Sequence, residues 1–188
     1  MSKIEIPKNL TEEQIKFWLA NTELTREQLI QWYTDFNDFA HKNQKLDKEN
    51  FVNFFKKLHH KKKDGESFYR LAFDTFDKDE SGFIDFHEFV VSFNLLSNGD
   101  IKSRLEWVFD VYDQNNDKAI DRKEIQVITK AILKMNKKKL VGDQTDETKI
   151  DEIFEKLDDN ENDEITKEEF VENCLNNVFL RDLLVPNL

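Results

Sequence analysis

Side chains that carry oxygen recur at a fixed spacing in three stretches of twelve residues, which begin at Asp77, Asp113 and Asp158 and each end in a glutamate. Ca²⁺ is a hard cation that takes six to eight oxygen ligands, and a twelve-residue loop supplies them from positions 1, 3, 5, 7, 9 and 12. Each stretch places a carboxylate, an amide, a hydroxyl or a backbone carbonyl at every one of these positions. The spacing therefore predicts three calcium-binding loops.

The predicted ligands follow one order in all three loops. They are Asp77, Asp79, Ser81, the Phe83 carbonyl, Asp85 and Glu88 in the first; Asp113, Asn115, Asp117, the Ala119 carbonyl, Asp121 and Glu124 in the second; and Asp158, Asn160, Asn162, the Glu164 carbonyl, Thr166 and Glu169 in the third. A terminal glutamate that binds through both oxygens favours calcium over the smaller, octahedral Mg²⁺, which remains the alternative occupant at low calcium. Ordinary acidic surface loops would not match the full pattern three times.

The three loops differ at position 6, where the chain must turn sharply with a positive φ. Gly82 suits that turn, whereas Lys118 and Asp163 replace glycine in the other two loops. Carboxylates among the side-chain ligands number four, four and two in chain order. Because ligand charge and rigidity tune affinity, we expect the Asp77 loop to bind most tightly and the Asp158 loop most weakly.

Apolar residues at helical spacing flank each loop, which gives the helix–loop–helix unit known as the EF-hand. Phe73 and Phe76 precede the first predicted loop, and Phe89 and Phe93 follow it. A fourth copy occupies residues 39–50 when Leu46 is placed at position 8. In that frame only Asp47 remains as a charged ligand, so this loop is predicted not to bind calcium.

The resulting fold prediction is all-α, with four EF-hands in two paired lobes and short paired strands between the loops. The strands are expected at position 8, which is isoleucine in all three calcium loops. An N-terminal lobe over residues 1–98 would hold a leading helix from about Thr11 to Ala20 and the first two hands. A turn over residues 97–100 would lead to a C-terminal lobe over residues 99–188, ending in a further short helix.

The composition excludes several other functions. A net charge of −11 argues against nucleic acid as a partner, because phosphates require a basic surface. There is no long apolar run and no signal-peptide core, so the predicted location is the cytoplasm. The four histidines have no nucleophile or acid pair at catalytic spacing, and no glycine-rich phosphate loop exists, so an enzyme is not expected.

Several motifs outside the loops resemble the neuronal calcium sensor family, the recoverin, visinin and frequenin group. The resemblance covers nearly the whole chain, and its main motifs are Asn21-Thr22-x-Leu24-Thr25-x-x-Gln28-Leu29-x-x-Trp32-Tyr33 and Leu105-Glu106-Trp107-x-Phe109-x-x-Tyr112-Asp113. It implies that an amphipathic helix of a target protein lies in an N-terminal groove. The positions that match this groove are Trp32, Phe36, Phe51, Phe54, Phe55, Phe89 and Phe93. Their helical spacing is equally compatible with an ordinary core.

Two features depart from the family pattern. The family usually has glycine as its second residue, as the acceptor of a myristoyl group, whereas this chain has Ser2. The family's inactive first loop usually contains Cys-Pro, whereas this one reads Ala40-His41-Lys42-Asn43. We therefore expect membrane contact only indirectly or weakly, through a bound target or the basic runs at residues 56–63 and 134–139.

The leading hypothesis is an intracellular calcium sensor, in which up to three calcium ions open a helix pair and expose the aromatic groove to a target helix. One alternative is a calcium buffer, which binds the ion without opening. A second alternative is a regulatory subunit bound permanently to an enzyme, similar to the B chain of calcineurin. Exposure of apolar surface with and without calcium separates the first two hypotheses.

Overall fold

The computed structural model describes residues 10–58, 65–135 and 146–185. Within these ranges the chain forms ten α-helices: α1 Glu12–Asn21, α2 Arg26–Asn37, α3 Lys48–Leu58, α4 Glu66–Phe76, α5 Phe86–Asn98, α6 Ile101–Tyr112, α7 Arg122–Met135, α8 Asp146–Glu155, α9 Lys167–Asn176 and α10 Val178–Leu184. Two short strands are β1 Ala119–Ile120 and β2 Ile165–Thr166. The all-α prediction is confirmed, and no helix in the described ranges is long and apolar enough to cross a membrane.

The first two helices begin where local sequence signals place them. Thr11 caps α1 by accepting from the Gln14 backbone N–H, while the Gln14 side chain accepts from the Thr11 N–H. Thr25 and Gln28 form the same reciprocal capping box at the start of α2. Such a box satisfies two donors that a helix terminus leaves unpaired. The leading helix is therefore found within a residue of its predicted bounds.

The loops pair at position 8, as the sequence predicts. Ile120 lies opposite Ile165 in the antiparallel pair of β1 and β2. In the first half of the chain, Leu46 and Ile84 exchange two backbone hydrogen bonds of 2.8 Å and form an isolated bridge. All four side chains are fully buried. The first loop, which is predicted to bind no calcium, is thus aligned with its partner in the same way as the two later loops.

Helices α1–α5 precede the central turn, and α6–α10 follow it. The turn is shorter than predicted, because α5 continues through Asn98 and only Gly99 and Asp100 separate it from α6. The Gly99 N–H donates to the Leu95 carbonyl at 2.8 Å and ends α5, and the Asp100 carboxylate caps α6. Helix α4 packs against α6 and α7, so the two halves are in contact. The division at residues 98 and 99 stays a prediction.

Helix α10 covers one side of the second pair of hands by packing on α7 and α9. Leu180, Leu183 and Leu184 are its buried residues. The Tyr112 hydroxyl donates to the Leu184 carbonyl at 3.2 Å in the interior, which fixes the end of α10 against α6. The predicted short C-terminal helix is therefore present, and it forms part of the core.

Candidate calcium sites

The first aspartate of each predicted loop folds the loop around its own carboxylate. Asp77 Oδ1 accepts from the Ser81 backbone N–H at 3.0 Å, and its Oδ2 accepts from the Gly82 N–H at 2.7 Å. The same pair of bonds recurs in the other loops, from Asp117 and Lys118 to Asp113 and from Asn162 and Asp163 to Asp158. These three carboxylates are buried. The loops are therefore held in one shape by the residue that is predicted to provide the first ligand.

The last glutamate of each loop is oriented by the loop backbone. Glu88 Oε1 accepts from the backbone N–H groups of Lys78 and Asp79, at 3.0 and 3.3 Å, and Oε2 accepts from that of Asp85 at 2.9 Å. Glu124 is held by the equivalent three donors of its own loop. In the third loop, Glu169 accepts instead from the Asn160 amide at 2.6 Å and from the N–H of Thr166 at 2.9 Å.

These bonds bring oxygen ligands from both ends of a loop to one point. Ligand atoms of Asp77, Asp79 and Glu88 all lie within 4.8 Å of one another. Hard carboxylate oxygens at this separation fit a single divalent cation of the size of Ca²⁺. The donor set of the Asp77 loop therefore matches the ion that its sequence predicts.

In the second loop, burial affects the ionisation of two predicted ligands. It raises the pKa of Asp113 and of Glu124, because the charged carboxylates are desolvated, and hydrogen bonds from backbone N–H groups of the loop only partly offset the effect. A bound divalent cation would stabilise the charged forms of both groups. Two buried carboxylates across one loop are consequently suited to the binding of a cation, as the sequence predicts.

All three loops turn through the left-handed region at position 6. The φ angles are 78° at Gly82, 73° at Lys118 and 65° at Asp163. Position 4 also has positive φ in each loop, a feature that sequence reasoning missed because glutamate and asparagine occupy it; these residues are Glu80, Asn116 and Glu161. Lys118 and Asp163 thus hold a conformation that disfavours side chains.

A pair of substitutions tests the cost of this turn. An added Cβ at Gly82 would meet nothing within 4 Å, so Gly82→Ala suffers only backbone strain. We expect it to lower the free energy of unfolding of the calcium-free protein by about 1 kcal/mol. Lys118→Gly should raise that free energy by about 0.5 kcal/mol, because relief of strain outweighs the entropy that glycine adds to the unfolded chain. Urea unfolding measures both changes, and Lys118→Ala, which keeps the Cβ, is the control that should show no gain.

The first loop keeps the EF-hand shape without the ligands. Its position 6 is Gln44, with φ 60°, and its position 1 is Phe39, whose ring packs 5.9 Å from that of Phe54. His41 Nε2 lies 2.7 Å from Asp47 Oδ2 at the place where ligands would converge. An aromatic ring and an imidazole are poor substitutes for calcium-binding oxygens. That this loop binds no calcium stays a prediction.

The predicted groove residues lie together in one aromatic cluster between the first two hands. Five of them are buried: Phe36, Phe51, Phe54, Phe55 and Phe89. Trp32 and Phe93 are partly buried at the edge of the cluster and pack edge to face at 4.7 Å. In this conformation the seven residues are mainly core, and a target helix could reach most of them only after the helices separate.

Helix–loop–helix units with these ligands define the chain as an EF-hand calcium-binding protein. Residues 102–175 match the EF-hand domain pair model, and residues 70–93 match the EF hand model. The chain is similar to guanylyl cyclase-activating protein 1 of Lithobates pipiens (31% identity, over 88% of this chain and 79% of that one) and of Gallus gallus (32%, over 90% and 83%). It is 28% identical to recoverin of Homo sapiens over 89% of this chain and 86% of that one. The chain belongs to the neuronal calcium sensor family.

Proposed function

We propose that this protein is a calcium sensor that binds up to three calcium ions and then exposes its aromatic cluster to an amphipathic helix of a target protein. The observation that carries the proposal is the position of Glu88, which is the last ligand of the Asp77 loop and also the third residue of α5. Its backbone and side chain form a capping box with Asp85, another ligand. An ion that reorients these two carboxylates therefore acts directly on the start of α5.

Movement of α5 would open the cluster, because two of its members lie on that helix. The Phe89 ring packs against those of Trp32, Phe36 and Phe54, with distances between ring centres of 6.0, 5.5 and 5.1 Å. One turn further along the helix, Phe93 packs against Trp32 at the partly exposed edge. Rotation of α5 away from α2 and α3 would separate these rings and leave an apolar groove, which suits the apolar face of a helix.

The two halves differ in what covers their apolar faces, and this difference favours the first half as the docking site. In the second half, α10 already packs on α7 and α9 and buries three leucines. In the first half, Trp32 and Phe93 keep part of their surface exposed. A target helix would consequently find an accessible edge in the first half, where the family resemblance implies a groove.

A double substitution at that edge tests the docking proposal. Trp32→Ala with Phe93→Ala should lower the calcium-dependent affinity for a synthetic amphipathic helical peptide by roughly 1,000-fold, because two aromatic anchors that each contribute about 2 kcal/mol together contribute about 4 kcal/mol. Calcium stoichiometry should stay the same, since neither residue is a predicted ligand. The measurement is peptide fluorescence anisotropy at low and saturating calcium.

The control for this experiment is Phe179→Ala, which removes an aromatic ring that is 61% exposed on α10. Its peptide affinity should match that of the unmodified chain. Normal peptide binding by the double variant would place the docking surface elsewhere. A dye that reports apolar surface and gives the same signal with and without calcium would instead support the calcium buffer.

The target class is also a matter for experiment. Two of the similar proteins are named for the activation of a guanylyl cyclase, so a guanylyl cyclase is a suitable first target to assay at low and high calcium. Purification of the chain with a large partner at low calcium would favour the permanent regulatory subunit. In either case we propose that this chain regulates its target and is not itself an enzyme.

A further inference from the structure

A cation follows the ninth position in three of the four loops and reaches across to the partner hand. These cations are Lys48, Arg122 and Lys167, each the first residue of its exit helix. Each lies over the ring of a phenylalanine in the entering helix of the partner hand and pairs with the acidic residue that follows that phenylalanine. We refer to each such set of three residues as a cation clamp.

Arg122 forms the most extensive clamp. Its guanidinium carbon is 4.4 Å from the centre of the buried Phe154 ring, and Nη1 is 4.0 Å from Glu155 Oε1 in α8. Nε and Nη2 both donate to Asp163 Oδ1, at 3.2 and 3.1 Å. Asp163 is the strained position 6 of the Asp158 loop, with φ 65°. One side chain of the Asp113 hand thus contacts both the entering helix and the turn of the next loop.

Lys167 forms the reciprocal clamp, from the fourth hand back to the third. Its Nζ lies 5.1 Å from the centre of the Phe109 ring and 2.5 Å from Asp110 Oδ1, both in α6. The second pair of hands is therefore clamped in both directions. A cation above an aromatic ring is attracted by the negative face of the ring, and the neighbouring carboxylate adds a second attraction.

Lys48 forms the third clamp, from the inactive hand to the Asp77 hand. Its Nζ lies 5.1 Å from the centre of the Phe73 ring and 3.0 Å from Asp74 Oδ1 in α4. In all three clamps the phenylalanine lies four residues before the first position of the partner loop. The same contact at the same register in three places is unlike the scattered ion pairs of an ordinary charged surface.

We propose that the cation clamps of the second pair couple calcium binding between its two loops. Arg122 lies between ligands Asp121 and Glu124 in the chain, so calcium that draws Glu124 inward also moves the guanidinium. Through its contacts, that movement reaches Phe154 and Asp163, which position the other loop. Lys167 supplies a second contact between the same two hands, through Phe109 and Asp110. By linkage, each loop then changes the affinity of the other by the same factor. This inference rests on the proposed binding of calcium by both loops.

The test compares coupling with and without the clamps, in full-length protein that carries Glu88→Gln to silence the Asp77 loop. Calorimetric titration gives the product of the two binding constants of the remaining loops. Adding Glu124→Gln or Glu169→Gln leaves one intact loop, whose binding constant is then measured alone. The coupling factor is the product measured with both loops intact, divided by the product of the two single-loop constants. Replacement of both Arg122 and Lys167 by glutamine should lower this factor by about tenfold, since we expect each exposed contact of this kind to contribute roughly threefold to the coupling factor.

The control is Lys123→Gln, which removes the same charge from the neighbouring, exposed position. Loss of a positive charge near the loop should tighten single-site binding and leave the coupling factor unchanged. Arg122→Lys, which keeps a cation above the ring, should restore part of the coupling. Circular dichroism checks that every variant is folded.

Two results would overturn the proposal. If both loops bind calcium and the coupling factor is the same after both clamps are removed, the clamps do not couple the two loops. The proposed binding of calcium by these loops would be unaffected by that result. If the Glu88→Gln chain binds fewer than two ions before any clamp is altered, there is nothing to couple, and the predicted stoichiometry fails as well.

Discussion

A titration of the Glu124→Gln protein should find two calcium ions at saturation in place of three. Glutamine removes one negative charge and one of the two oxygens that the twelfth position offers to the ion. Its remaining carbonyl can still accept the two hydrogen bonds that the backbone N–H groups of Gln114 and Asn115 now donate to Glu124 at 3.0 and 3.3 Å. Only the bond from the Asp121 N–H is lost, so the loop should keep its fold. We expect the affinity of the altered loop to fall on the order of 100-fold, which calorimetry can measure.

The same loss of one ion is expected for Glu88→Gln and for Glu169→Gln, each at its own loop. Asp47→Asn is the matched control, because it removes a carboxylate from the first loop, where no ion is expected. A structure that shows a fourth ion bound by Asn43 or Asp47 would contradict the prediction that this loop is inactive. So would a decrease in stoichiometry caused by Asp47→Asn.

Phe55→Ala should destabilise the calcium-free protein by about 3–5 kcal/mol. The Phe55 side chain is 1% exposed and its ring stacks on that of Tyr69 at 5.2 Å. It also meets the rings of Phe51 and Phe76 at 4.8 and 5.8 Å, so truncation leaves a cavity at the centre of the aromatic cluster. Urea unfolding in the presence of a calcium chelator measures the loss.

Phe17→Ala is the control for this experiment, since Phe17 is 52% exposed on α1 and its removal should cost less than about 1 kcal/mol. Truncation of Phe55 should at the same time raise calcium affinity at the Asp77 loop. The contacts that it removes favour the closed arrangement, and a ligand that prefers the open arrangement then binds more easily. A destabilised variant with unchanged calcium affinity would indicate that binding does not open the cluster, as in a buffer.

The sequence was sufficient to place the loops because calcium ligands must recur at fixed positions. It also placed Ile84, Ile120 and Ile165 in paired segments, since a β-branched residue at position 8 favours an extended backbone. The short helix after residue 176 could be expected but not its packing, because periodicity does not reveal that α10 covers the second pair of hands. Contacts between residues that are far apart in the chain become visible only in a structure.

Two features of the site lay beyond sequence reasoning for the same reason. The helical spacing of Phe36 and Phe89 is identical whether the first helix pair is open or closed, so burial of the groove could not be predicted. The clamp residues Lys48, Arg122 and Lys167 each follow the ninth position of a loop, and this repeat was available in the sequence. The contact of each cation with a phenylalanine of the partner hand could not be predicted from this repeat, because the two residues are far apart in the chain.

The bridge between Leu46 and Ile84 joins the first loop, which lacks most of the predicted calcium ligands, to the Asp77 loop, which has all of them. If the first pair of hands binds one ion, as predicted, its occupancy should follow a simple hyperbola as calcium rises. If the second pair binds two ions that are coupled through the cation clamps, as we propose, it should respond more steeply, with a sigmoidal curve. One chain would then respond to calcium in two ways: gradually in the helices that we propose to meet the target, and more steeply in the half whose apolar face α10 covers.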